Sequence, residues 1–238
     1  MAIQTKTIDY ADGTTQLEGL LAYDDTHSGP RPGVLVTHAW GGRGAFEDDK
    51  AVELAKLGYA GFSIDCYGKG VTGSNPEENG KLMQPFLDDR AMLQQRMITA
   101  LNAARDLDVV DGNRVAATGY CFGGLAVLDL ARTGTDFAGA ASFHGLFNPP
   151  GNTAGNKISA KVIALHGWDD PMVPPDAVVA LAKELTEAGA DWQLHGYGNT
   201  MHAFTNPEAN FPDMGAVYQP DSARRSWDTL QRFLSEIF

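Results

Sequence analysis

Six residues, Gly119-Tyr120-Cys121-Phe122-Gly123-Gly124, constrain this chain more than any others. Before them, Arg114 to Thr118 reads as a buried strand. After them, Leu125 to Ala131 reads as a helix of small and apolar residues. A Gly-x-Cys-x-Gly turn between strand and helix is a nucleophile elbow with cysteine in the reactive slot. The turn is sharp and strained, so the residues two places to either side of the nucleophile can carry no side chain. The elbow would lift the sulfur to a helix N-terminus, where the dipole favours thiolate and the Phe122 N–H meets a developing oxyanion. The other reading makes Cys121 a small core residue beside a glycine-rich turn.

The rest of the chain bounds what such an elbow can serve. The sequence has 238 residues, 43% of them hydrophobic and 20% charged, enough for one sizeable α/β core over 1–238. The net charge of −12 and the lack of basic runs exclude nucleic acid and anionic membranes as natural partners. Cys66 and Cys121 are the two cysteines, and they read as reduced thiols. The start, MAIQTKTIDY, shows no basic-then-apolar leader, and no apolar run spans a membrane, so the expected location is cytoplasmic. The expected partner is a small-molecule ester, and the chain is expected as a monomer or homodimer.

In order, residues 3–10 and 17–23 read as strands around Asp12-Gly13. A loop follows at Gly29–Gly33, then a strand at Val34–Thr37. A helix is expected from Phe46 to Leu57, stopped by Gly58, and a strand from Tyr59 to Asp65. Residues 66–86 read as irregular, 88–107 as a long helix, and Asp111-Gly112-Asn113 as a turn. Beyond the elbow come strands at Phe137–Phe143, Val162–Leu165 and Trp192–Gly196, with helices at 176–188 and 222–237. The stretches 144–160 and 203–221 read as irregular. Strands alternating with helices predict a mainly parallel central sheet with helices on both faces. Ligands bind such sheets at the carboxyl ends of the strands.

A cysteine nucleophile needs a base, and the base an orienting acid, here in the chain order nucleophile, acid, histidine. After Cys121, the chain offers His166-Gly167-Trp168-Asp169-Asp170 directly after a strand, and Met201-His202-Ala203-Phe204 after the last strand. Either Asp169 or Asp170 could be the acid. His144 and His166 compete with His202 as base, and each reads as structural, at a strand end beside a glycine. No pair has metal-ligand spacing and neither cysteine lies in a CxxC, so no metal and no cofactor are expected. Gly68-Lys69-Gly70-Val71-Thr72-Gly73 matches GxGxxG, but Ser74-Asn75-Pro76 cannot open the helix at once, so it reads as loop. Cys66 has no elbow around it and is expected to be non-catalytic.

From the strand at 34 to the terminal helix, the chain resembles the dienelactone hydrolase family of α/β-hydrolases. The Gly-x-Cys-x-Gly-Gly elbow is the most specific element, joined by Gly-x-x-Asp-x-x-Val-Pro at Gly167–Pro174 and His-x-Phe at His202–Phe204. The resemblance implies an α/β-hydrolase fold and a Cys121–His202–Asp170 triad cleaving esters or lactones. It also implies an oxyanion hole of the Phe122 backbone N–H and a second N–H from the turn after the Val34–Thr37 strand, that of Ala39, with Trp40 the alternative. The family carries an arginine shortly after the histidine, for a substrate carboxylate, where this chain has Ala203, Phe204, Thr205 and Asn206. A neutral or aryl ester is therefore expected rather than dienelactone itself. His38, Trp40, Phe143 and Phe204 are candidate pocket residues, with His38 also suited to bracing its loop and the aromatics to the core. Two alternatives accompany this reading: aryl phosphotriester hydrolysis by the same cysteine, and a binding module on a hydrolase fold.

Overall fold

The computed structural model describes residues 2–238. They form two compact units, one ending at Thr118 and the other running Gly119–Phe238.

The first unit opens with a hairpin. Strands β1 (Ile3–Asp12) and β2 (Thr15–Asp24) pair antiparallel from Ile3↔Asp24 to Asp12↔Thr15. Their turn needs a left-handed residue, and Gly13 supplies it at φ +59°. β2 pairs antiparallel with β4 (Ala60–Ile64), and β4 pairs parallel with β3 (Arg31–Thr37), giving the order β1-β2-β4-β3. β3 and β4 are buried along nearly their whole length, which is why they read as unbroken apolar runs rather than alternating ones. β3 starts at Arg31, so the expected loop at Gly29–Gly33 is half strand. Helix α1 (Ala45–Lys56) lies so close to β4 that a side chain on Gly61 would strike the backbone of Ala51.

Residues 66–86 are not irregular throughout. Helix α2 (Pro76–Asp88) occupies their second half. Its start carries ordinary signals: the Asn75 side chain accepts the Glu78 N–H at 3.0 Å, Pro76 opens the first turn, and Glu77 and Glu78 complement the dipole. The Gly, Asn and Pro content hides these signals, and the helix buries little beyond Phe86. Asp89 then separates it from α3 (Arg90–Arg105), capping that helix by accepting the Met92 N–H at 3.0 Å. Strand β5 (Val110–Tyr120) also begins earlier than expected, and Asp111-Gly112-Asn113 lie inside it rather than forming a turn. Its last two residues start the second unit.

In the second unit, α4 (Phe122–Arg132) follows the elbow. Strands β6 (Gly139–Phe143), β7 (Lys161–Gly167) and β8 (Trp192–Tyr197) pair in parallel, in that order. Helix α5 (Pro175–Glu187) packs on β8, and α6 (Pro220–Ile237) on β6 and β7. A side chain on Gly139 would reach Phe233 and Ile237 at 2.9 Å, so glycine there seats α6 against the sheet. Buried Arg132 ties α4 to α5 through a two-pronged pair with Glu184, at 2.7 and 2.8 Å. The tail at 203–221, expected to be irregular, contains a small hairpin, β9 (Asn210–Phe211) and β10 (Ala216–Val217). Two-residue strands leave no periodicity to read. The parallel pairings and intervening helices match the α/β class expected from the sequence.

Candidate active site

β5 delivers the chain to Cys121 in a left-handed conformation, φ +56° and ψ −113°. A non-glycine residue there stores roughly 1–3 kcal/mol of strain and persists only where its surroundings hold it. The glycine spacing has a direct steric cause: a Cβ on Gly119 would collide with the Gly123 carbonyl. One on Gly124 would lie 2.7 Å from Gly145 Cα. The Cys121 N–H faces two acceptors, Phe143 O at 3.0 Å and His144 Nδ1 at 3.2 Å. Phe122, just past the half-buried cysteine, is the first residue of α4.

The candidate acid and base come from separate loops. At the end of β7, a Cβ on Gly167 would sit 2.6 Å from the carbonyls of Thr200 and Met201, so glycine lets the His202 segment pass close by. Asp170 Oδ2 meets His202 Nδ1 at 2.7 Å, and its Oδ1 accepts the Met172 N–H at 2.9 Å. Asp169 instead accepts the Thr200 N–H at 3.0 Å and stabilises the neighbouring loop. Of the two adjacent carboxylates, Asp170 is the one hydrogen-bonded to the histidine. The small hairpin holds the His202 main chain: its N–H donates to Gly215 O at 2.9 Å and its carbonyl accepts the Val217 N–H at 3.0 Å. Gly215, at φ +68°, packs against Pro171 where a Cβ would overlap the ring. One hairpin thus supports both the Asp170 loop and His202.

Burial by itself would lower the His202 pKa. The negative charge of the Cys121 sulfur and the hydrogen-bonded Asp170 carboxylate outweigh it and raise the pKa to about 10. Cys121 acts on His202 first through its charge and, after the Asp170 hydrogen bond, through a hydrogen-bonding contribution of its own.

The structure sorts the other histidines. His144 is buried beside the elbow. Its Nδ1 accepts the Cys121 N–H, so the ring proton sits on Nε2, which donates to Thr205 Oγ1 at 2.8 Å. Burial, then the charge of His202, hold its pKa well below 6.5. The sequence reading passed over this contact, because nothing local to His144 signals a partner 23 residues earlier. His166 is fully buried against Phe147 and Trp168, and its ring nitrogens have no hydrogen-bond partner.

Within the first unit, His38 is buried. Its Nε2 accepts the Cys66 N–H at 3.1 Å, which leaves Nδ1 to donate to Ala39 O at 2.6 Å. It braces the end of β3. The Ala39 N–H, expected as an open oxyanion donor, is engaged by Glu47 Oε1 at 3.2 Å, while Glu47 Oε2 accepts the Gly44 N–H at 3.0 Å. Burial raises the Glu47 pKa to about 7, against the lowering by these N–H groups. Phe143 and Phe204 are buried. Phe143 stacks on Tyr120 at 4.8 Å, and Phe204 packs edge-on to His144 at 5.1 Å. Trp40 remains half-buried, with its carbonyl accepting the Tyr67 hydroxyl at 3.0 Å. Among the described residues, no group of three or more His, Cys, Asp or Glu could hold a metal ion, and no helix is long and apolar enough to cross a membrane.

Comparison with known proteins gives this geometry its context. The pattern defining the dienelactone hydrolase family matches residues 17–238. The crystal structure of a dienelactone hydrolase-like promiscuous phosphotriesterase, P91, from metagenomic libraries is 35% identical. It superposes with a TM-score of 0.94 and full coverage of both chains. A Bradyrhizobium protein named "Probable 2-oxo-3-(5-oxofuran-2-ylidene)propanoate lactonase" is 26% identical over 246 aligned positions, covering 98% of this chain and 96% of that one. At the level of fold alone, the dienelactone hydrolase of Anabaena variabilis superposes with a TM-score of 0.71 at 18% identity, with full coverage of both chains.

Proposed function

Since the chain belongs to the dienelactone hydrolase family, we propose that it hydrolyses carboxylic ester or lactone bonds through Cys121, His202 and Asp170. The observation that carries this reading is the joining of three strained or paired groups: Cys121 at φ +56°, His202 under its charge, and Asp170 2.7 Å from His202 Nδ1. The Cys121 sulfur attacks the substrate carbonyl, and the Phe122 N–H at the helix N-terminus faces the resulting oxyanion. His202 gives its proton to the departing alcohol as the tetrahedral intermediate collapses to a thioester. It then takes a proton from the water that attacks the thioester, and the acid leaves with the sulfur restored. Asp170 fixes the tautomer and orientation of the imidazole throughout.

A neutral or aryl ester suits the site better than an anionic lactone. The four positions after His202 are Ala203, Phe204, Thr205 and Asn206, none cationic, on a chain of net charge −12. Both cysteines are free thiols, which suits a reducing cytoplasm. A second reading, aryl phosphotriester cleavage by the same sulfur, is favoured by the likeness to the P91 phosphotriesterase.

Rapid mixing with p-nitrophenyl acetate, then intact-protein mass spectrometry and peptide mapping, tests the reading. An acetyl group on Cys121 that decays with time, and is absent in His202→Ala, is the expected result. Product release with no adduct in a Cys121→Ala protein as active as wild type would sink it. Paraoxon hydrolysis that survives Cys121→Ala would remove the second reading.

A further inference from the structure

We propose that His144 is a positioning residue that couples the nucleophile to the loop carrying the base. This rests on Cys121 being the nucleophile. The side chain makes three connections at once. Its Nδ1 accepts the Cys121 N–H at 3.2 Å, at the strained residue whose conformation most needs holding. Its Nε2–H donates to Thr205 Oγ1 at 2.8 Å, three residues past His202. Its ring stands edge-on to the His202 ring, with centroids 5.2 Å apart and planes at 63°. One buried imidazole therefore touches the nucleophile's main chain, the base's ring and the base's loop.

The arrangement works in one protonation state. Nδ1 has to be bare to accept the Cys121 N–H, so His144 is neutral, with its proton on Nε2. A second proton would remove that acceptor and place a cation beside the His202 imidazolium. The titratable groups around the ring are His202, Cys121, Tyr120 with its ring centroid 6.0 Å away and, further off, His166, and burial reinforces the neutral form. His144 itself adopts φ +36°, so the backbone is strained at the residue that supplies this contact as well as at the one that receives it. Thr205 rather than a carboxylate receives its Nε2–H, so the ring is oriented without being made more basic. That separates it from His202, which has Asp170. His144 thus sets the spacing between sulfur and base and takes no proton itself.

The test compares His144→Leu, His144→Gln and Thr205→Val by acetylation rate on Cys121, steady-state kinetics and NMR titration of His202. Leucine removes both nitrogens; His144→Leu is expected to lower kcat about 10- to 100-fold with KM within about threefold. It should also move the His202 titration away from its wild-type position. Glutamine offers an oxygen to Cys121 and an amide N–H to Thr205, and should restore most of the rate. Thr205→Val should lose about 3- to 10-fold, and the Leu/Val double variant should be no slower than His144→Leu, since the contacts form one chain. If His144→Leu fails to fold, Thr205→Val and His144→Gln decide. Wild-type acetylation rates and an unchanged His202 titration in the folded variants would overturn the role. Absence of a Cys121 adduct in wild type would instead overturn the nucleophile reading on which it stands.

Discussion

Cys66 and Cys121 each follow a strand, and each gives its backbone N–H to a histidine nitrogen, at 3.1 Å to His38 Nε2 and 3.2 Å to His144 Nδ1. In both places the accepting histidine is buried and its pKa is lowered by that burial. From there the two surroundings part. Cys66 is fully buried, its carbonyl accepts the Arg96 guanidinium at 2.6 Å, and burial followed by the Asp65 carboxylate pushes its thiol far up. Cys121 turns left-handed, stays half-exposed and acts on a second histidine that carries its own carboxylate. Under the proposed mechanism, a histidine beside a cysteine is not by itself enough for reactivity. Reactivity needs a backbone that aims the sulfur outward and a second imidazole whose charge is compensated on its far side.

Exchanging each cysteine for alanine should show the contrast most strongly. Cys121→Ala is expected to lose more than about 10³-fold in kcat/KM with the fold retained. Cys66→Ala should keep its activity and give up about 1 kcal/mol of stability for the small cavity it leaves. Esterase assays and thermal melts on the two proteins check this. Comparable activity losses in both would place Cys66 in the machinery too.

Alkylation is the next largest difference. At pH 7, iodoacetamide should modify Cys121 at least about 100-fold faster than Cys66. The His202 pKa is raised from 6.5 to about 10, so its paired charge stabilises the fold fully below 6.5 and that contribution is lost as pH rises through about 10. In Cys121→Ser the largest raising cause is gone. The His202 titration, followed by NMR, should then fall toward or below its ordinary value. A titration unmoved by the serine would show that Asp170 alone sustains the shift.

The smallest effect belongs to Glu47, in the first unit. Its pKa is raised from 4.5 to about 7 by burial, so the folded state holds the proton more tightly than the unfolded state. Stability should therefore fall as pH rises from 4.5 through 7, and Glu47→Gln should lack that slope. Denaturant titrations at several pH values separate the two proteins. Parallel curves would mean the carboxyl is ionised in both states over this range.

Much of this was legible before any coordinates. The elbow was readable because its constraint spans five residues: a Cβ at Gly119 meets Gly123, so the clash is written into neighbouring letters. β3 and β4 were readable as buried runs. α2 was missed because its signals, Asn75, Pro76 and Glu78, sit in a stretch that otherwise looks like loop. The hairpin at 210–217 was missed because its strands are too short to carry a pattern, yet it holds both the His202 main chain and Pro171.

The amino-acid sequence by itself determined the α/β class, the place of the strained turn, and the pool of acids and histidines after it. Those are local matters of sterics and periodicity. Tertiary structure decided which members of the pool meet. It separated Asp170 from Asp169 by one hydrogen bond across 32 residues, turned His144 toward the Cys121 N–H, and engaged the Ala39 N–H with Glu47. It also buried His38, Phe143 and Phe204. Hydrogen-bond direction and charge compensation depend on distances of a few tenths of an ångström between distant segments, and packing alone sets those distances.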